Sequence, residues 1–130
     1  MAAALNVMKI VIATFIIFFS CIVNAAEKHE AIPSAFQGKW VADLKYCNKG
    51  HEFNLSINSK SLQFYESNGQ VISVVTEGKY ELALIAELEG EGEKWIGIYH
   101  YQLSEDGNKI TDISNPDEKQ EFVRYKCVKK

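Results

Sequence analysis

Glu87, Glu89, Glu91 and Glu93 set four carboxylates at every second position, interleaved with Gly90 and Gly92. The two glycines read as the tip of a hairpin. A calcium loop mixes Asp, Asn and backbone carbonyls in a fixed pattern closed by a bidentate acid, and this stretch has neither Asp nor Asn. What remains is Coulombic: a solvated, self-repelling tip, or an acidic surface offered to a basic protein partner. Of the three histidines, His29 falls in a polar lead, His51 in a turn and His100 in a strand, and no two have metal-ligand spacing. No serine stands in a Gly-x-Ser-x-Gly context. The expectation is a protein that is not an enzyme and uses no metal and no cofactor.

Trp95, Gly97, Tyr99 and Tyr101 alternate at period two, which puts them on one face of a strand, with Tyr80 expected across the hairpin. Such a stripe serves either as a core of cross-strand aromatic pairs or as the lining of a cavity for a small apolar ligand, Gly97 leaving room for close approach. With Trp40, these residues (Trp40, Tyr80, Trp95, Tyr99 and Tyr101) are the candidate ligand-binding set. The four glutamates are the candidate partner loop.

Lys9 precedes the apolar run from Ile10 to Val23, and Val23-Asn24-Ala25 follows as a cleavage site, the pattern of a secretory signal peptide. A membrane span needs about 20 apolar residues, more than this run supplies, so the mature form is expected to have no transmembrane span. A second reading takes Phe18-Phe19-Ser20-Cys21 as a lipobox and anchors the protein through an acylated Cys21. Processing after Ala25 leaves two cysteines, Cys47 and Cys127, which an oxidising compartment joins as a disulfide. Periplasmic or secreted localisation follows. The chain carries 14 Lys and Arg against 17 Asp and Glu, a formal charge of −3. A mildly acidic chain with scattered signs gives no electrostatic basis for binding nucleic acid.

The elements that must position these residues are strands. Residues 1–25 are expected as signal peptide, 26–35 as a flexible lead and 36–130 as one domain. Within it, alternation is broken by Gly, Asn, Asp and Ser at short intervals. Eight strands result: Lys39–Tyr46, Glu52–Ile57, Ser61–Ser67, Gln70–Thr76, Lys79–Leu88, Trp95–Leu103, Lys109–Ile113 and Gln120–Cys127. Asn68-Gly69, Glu77-Gly78 and Glu105–Asn108 supply hairpin turns. Short links make an antiparallel up-and-down meander, and closure into a small barrel removes its two edges. Ala42, Leu44, Phe53, Leu55, Ile57, Leu62, Phe64, Leu82 and Leu84 join the aromatics as inward candidates. One conflict stands: Cys47 ending the first strand and Cys127 ending the eighth fall at opposite ends of such a barrel, whereas a disulfide needs Cα atoms within about 7 Å.

Phe36-x-Gly38-x-Trp40, at the head of the first strand, resembles the Gly-x-Trp opening of lipocalins and other calycin-type barrels. The resemblance covers this motif and the strand count, and the Thr-Asp-Tyr signature and terminal helix of lipocalins are not evident. It implies an all-β barrel with Trp40 closing its floor and a small apolar ligand inside. An exported domain of this size with one disulfide is also similar to small bacterial periplasmic inhibitor barrels, which implies a secreted protein partner, such as a lysozyme or protease. The expected function is ligand binding by a monomeric barrel of the cell envelope, with the protein-interaction module as the alternative.

Overall fold

The computed structural model describes residues 25–128. The expected signal peptide up to Asn24 and the alternative anchor at Cys21 lie outside the described residues. Period-two alternation produces nine strands: β1 (Glu27–His29), β2 (Gly38–Val41), β3 (Leu55–Ile57), β4 (Ser61–Gln63), β5 (Asn68–Glu77), β6 (Glu81–Gly90), β7 (Glu93–Leu103), β8 (Lys109–Asp112) and β9 (Phe122–Lys126). β2 to β9 are antiparallel and close into an eight-stranded barrel in the order β5-β4-β3-β2-β9-β8-β7-β6, with β6 returning to β5. β1 lies outside this ring. Along one edge of β5, β4 takes Asn68 to Gln70 and β1 takes Val74 to Thr76.

The turns β3–β4, β5–β6 and β7–β8 mark a lower end of the barrel, and the links β2–β3, β4–β5, β6–β7 and β8–β9 mark an upper end. The lower end is sealed. Trp40 is fully buried and donates from Nε1 to the Phe36 carbonyl at 3.0 Å. A 3₁₀ turn at Ser34–Phe36 drops Phe36 beneath it, and Ile32, also buried, bonds through its N–H to the Ser59 carbonyl at 2.8 Å. Trp40 thus forms the floor that the Gly-x-Trp resemblance implies. Replacing a buried Trp by Ala costs about 3–5 kcal/mol, so this floor is a major part of a small domain's stability. Above it the core is Leu55, Ile57, Leu62, Val74, Leu82, Leu84, Ala86, Leu88, Tyr101, Leu103 and Ile110.

Residues 26–35, expected as a flexible lead, are instead structured: β1 pairs with β5, and His29 Nε2 lies 2.7 Å from the Thr76 hydroxyl. β1 covers an edge of β5 that would otherwise be unpaired, and apolar Ile32 is buried beside the floor. The first barrel strand is much shorter than expected. β2 stops at Val41, and a 3₁₀ turn at Leu44–Tyr46, capped by the Asp43 carboxylate accepting from the Lys45 N–H, turns the chain back.

That reversal resolves the cysteine conflict. Cys47 returns to the level of Lys39, whose Nζ donates to the Cys47 carbonyl at 2.7 Å and whose carbonyl accepts from the Cys127 N–H at 2.8 Å. The Cys47–Cys127 disulfide forms there with Cα atoms 5.7 Å apart. It closes 80 residues of chain, for which loop entropy suggests about 4 kcal/mol of stabilisation. Leu44, counted as inward when the first strand was expected to continue, is exposed, as is Phe53, expected inward on a second strand that opens only at Leu55, and Ala42 is half-buried.

Asn68-Gly69 is not a turn. Both residues lie in β5, the turn is Phe64–Ser67 with the Phe64 N–H donating to the Ser67 carbonyl, and Gly69 faces inward, where an added Cβ would crowd Leu88 Cγ at 3.2 Å and touch Ala86 Cβ at 3.4 Å. Here the glycine serves close packing inside the barrel rather than a reversal. Glu77-Gly78 and Glu105–Asn108 do turn the chain, with Gly78 at φ 65° and Gly107 at φ 75°.

Candidate functional site

Two regions combine unsatisfied or exposed chemistry: the interior near the upper end, and the outer face of the β5–β6–β7 ribbon. In the interior, the register places Tyr101 opposite Leu82, Tyr99 opposite Leu84, Gly97 opposite Ala86 and Trp95 opposite Leu88. The stripe therefore points inward, as its spacing predicts. Its members differ in depth: Tyr101 is fully buried, Tyr99 is half-buried, and Trp95 is 42 % exposed because β8 and β9 end below it.

The Tyr99 ring stacks on Tyr101 with centroids 5.9 Å apart and tilts against Phe64 at 5.5 Å. A Cβ added at Gly97 would sit 2.6 Å from both Leu88 Cδ1 and Tyr99 Cε2. The room at Gly97 is thus taken by the protein's own Tyr99. Tyr80, expected beside this stripe, lies in the β5–β6 turn at the lower end, partly exposed, and Trp40 is in the floor. The five candidate ligand residues do not converge on one place.

Sequence reading missed Arg124, an arginine in a strand whose alternation turns it inward. It is 7 % exposed, donates from Nε to the Phe53 carbonyl at 2.8 Å and lies 4.5 Å from the Phe122 ring centroid. Among the described residues, its Nη1 and the Tyr101 hydroxyl are buried without hydrogen-bond partners. Burial holds the guanidinium below its ordinary pKa, opposed by Tyr101, Asp112 and Tyr99. Burial first and the Asp112 carboxylate second push the Tyr101 phenol well above its ordinary range, and the same causes raise Tyr99.

On the outer face, the rows across β5, β6 and β7 read Asn68–Glu89–Lys94, Gln70–Glu87–Ile96, Ser73–Ile85–Ile98, Val75–Ala83–His100 and Glu77–Glu81–Gln102. A bulge between Val71 and Ser73 pushes Ile72 outward into the same band. Ile72, Ile85, Ile96 and Ile98 are exposed, Ile98 by 71 %. Carboxylates fence both ends of this band: Glu87 and Glu89 toward the upper end, Glu81 and Glu77 toward the lower. His100 Nε2 is 3.4 Å from the Glu81 carboxylate.

The four glutamates expected as a single hairpin tip are divided. Only Glu91-Gly92 form the turn, with φ 51° and 78°, the two left-handed positions of a type I′ hairpin. Glu87 and Glu89 stand on the outer face of β6, while Glu93 opens β7 opposite Gly90. The strands run on to the turn because Leu88 still faces the core. No family model matches the chain, and neither a curated protein nor a solved structure is significantly similar to it.

The orphaned Tyr101 hydroxyl gives a signed expectation. Its pKa is raised in the folded state, so the folded protein keeps the proton that the unfolded chain loses near pH 10. This stabilisation is complete below the unfolded value and is lost as pH rises beyond it. Tyr101→Phe removes that loss, and at neutral pH it is neutral or stabilising by up to about 1 kcal/mol, since the lost hydroxyl has no partner. Urea unfolding at pH 7 and 10.5 checks both; a variant destabilised by more than about 1 kcal/mol at pH 7 would show that the hydroxyl is bonded.

Proposed function

We propose that this protein is a binding module of the cell envelope that recognises another protein through the outer face of β5, β6 and β7. The observation that carries this reading is the contiguity of Ile72, Ile85, Ile96 and Ile98 on a solvent face. Single exposed apolar residues are ordinary on a soluble domain, but adjacent rows of them mark an interaction surface. The carboxylates at both ends favour a partner with an apolar centre and a basic rim. The signal segment and the Cys47–Cys127 disulfide support a periplasmic or secreted location. An inhibitor of an exported lysozyme or protease is the most concrete form of the reading.

The face is tested by the double variant Ile85→Asp/Ile98→Asp. Ile98 is 71 % exposed and Ile85, in the central strand, 36 %, so the variant is expected to lose about 1–3 kcal/mol and to remain folded. Against a panel of secreted lysozymes and proteases, the parent is expected to inhibit at least one and the variant to be at least about thirtyfold weaker. Equal potency of the two would exclude this surface, and full activity of every enzyme with the parent present would exclude the inhibitor form.

A second reading, a small apolar ligand in the barrel, has one specific support: the unpartnered Arg124 Nη1 and Tyr101 hydroxyl. Two buried donors suit a ligand with an apolar body and an anionic head, reached when partly exposed Phe53 or Tyr99 swings aside. Octanoate at millimolar concentration is then expected to raise the melting temperature of the parent and leave Tyr101→Phe less affected. An unchanged melting temperature in the parent counts against this reading.

A further inference from the structure

In an antiparallel strand, successive residues direct their N–H and C=O groups to opposite neighbours. The bonds of β7 fix which residues face which way. Leu103 donates to the Tyr80 carbonyl at 2.7 Å on the β6 side. His100, on the β8 side, accepts from the Ile113 N–H at 2.8 Å and donates to Ser114 Oγ at 2.9 Å. Odd-numbered residues of β7 therefore bond to β6, and even-numbered ones face β8. β8 ends at Asp112, opposite Tyr101, while β7 continues back to Glu93. Among the described residues, the N–H and C=O groups of Lys94, Ile96 and Ile98 thus face no strand.

The opposite side of the ribbon is covered. β4 and β1 divide the edge of β5, and between them the Val71 N–H donates to the Lys60 carbonyl at 2.9 Å. The bare stretch of β7 also lacks the usual protection of an edge. Apart from Lys94 its outward side chains are Ile96 and Ile98, 57 % and 71 % exposed, whereas proteins normally blunt such edges with charge, proline or a bulge.

We infer that this edge is a docking site for an extended segment of the partner protein, which adds as a strand along Lys94 to Ile98; the inference rests on the protein-binding reading above. Main-chain bonds to the three even-numbered residues hold the segment. Its alternate side chains pack beside Ile96 and Ile98, extending the apolar band by one strand. Exposed Glu91 and Glu93 stand at the hairpin end of the edge, beside Lys94, and the loop that leaves β8 past Ser114 carries exposed Asp117, Glu118 and Glu121 with one cation, Lys119. The segment that fits is apolar at alternate positions and basic between them.

Charge also separates this occupant from a second copy of the chain. A second copy carries the same net negative charge and the same Glu91 and Glu93 at its hairpin. Like charge would meet like charge in that pairing, whereas a basic segment meets the acidic hairpin end of the edge.

A peptide of about nine residues, long enough for one ordinary strand, with valine alternating with lysine and arginine, is the probe. Its affinity is measured by calorimetry for the parent, Ile96→Val and Ile96→Pro. The Ile96 N–H points away from β6, so proline removes an edge donor and leaves the β6 ladder intact. Parent and Ile96→Val are expected to bind alike, and Ile96→Pro about tenfold or more weakly. Should Ile96→Pro unfold, the same peptide N-methylated on alternate amides tests the bonds on the parent, with the same loss expected in one of the two methylation registers.

No binding by the parent, equal binding by Ile96→Pro with both methylated peptides undiminished, or a concentration-dependent dimer that Ile96→Pro abolishes would each overturn the inference. Hydrolase inhibition lost in Ile85→Asp/Ile98→Asp but intact in Ile96→Pro overturns the edge site while leaving the binding face standing. Inhibition intact in both removes both.

Discussion

The constraint on which this structure depends is the unequal length of its strands. β5, β6 and β7 run for 10, 10 and 11 residues, while β2, β3, β4, β8 and β9 span 3 to 5. Backbone N–H and C=O groups need partners wherever they are shielded from water. The short strands do not match the long ones along their whole length: β4 reaches the upper end of β5 at Asn68–Gln70, while β8 stops opposite Tyr101. Above that level the three long strands form a ribbon, with β5 flanked by β4 and β7 flanked by no strand. The exposure of Trp95, the half-burial of Tyr99 and the bare edge at Lys94–Ile98 all follow from this one mismatch.

Stability and the proposed binding surface are consequently separated along the barrel axis. The lower end gathers Trp40, Phe36 and Ile32, with the Lys126 ammonium 5.3 Å from the Trp40 ring centroid and the disulfide beside Lys39. Such a foundation tolerates chemistry elsewhere that stability alone would not select. The upper end holds buried donors without partners and apolar side chains in water. Each is unfavourable by about a kcal/mol or more in isolation, the pattern of a surface shaped for something that covers it.

Much of this fold was legible in the sequence, for a physical reason. Every barrel strand with one buried face alternates at period two, so β5 to β9 and the inward set Leu82, Leu84, Tyr99 and Tyr101 could be read directly. The Cys47–Cys127 pairing followed from composition and compartment. What failed was the extent of strands and the meaning of glycines. Leu44 continues an apolar alternation that the chain abandons at Val41, because the Asp43 cap and the disulfide turn it back, and Phe53 precedes a strand that opens only at Leu55. Gly69 looks like a turn residue beside Asn68, yet its role comes from Leu88 across the sheet. The site was less legible still: four glutamates at alternating positions do not reveal that two of them frame isoleucines on β5 and β7. That grouping exists only through register. Arg124 could be suspected from its inward phase on β9, but its missing partner is a property of the packed interior.

Residue-resolved amide hydrogen exchange of the free protein tests the central claim most directly. If the upper edge of β7 is bare, protection alternates along the strand: Trp95, Gly97 and Tyr99, bonded to β6, exchange slowly, while Lys94, Ile96 and Ile98 exchange far faster. Uniform protection of all six amides would contradict the account, because it would mean that this edge is already paired.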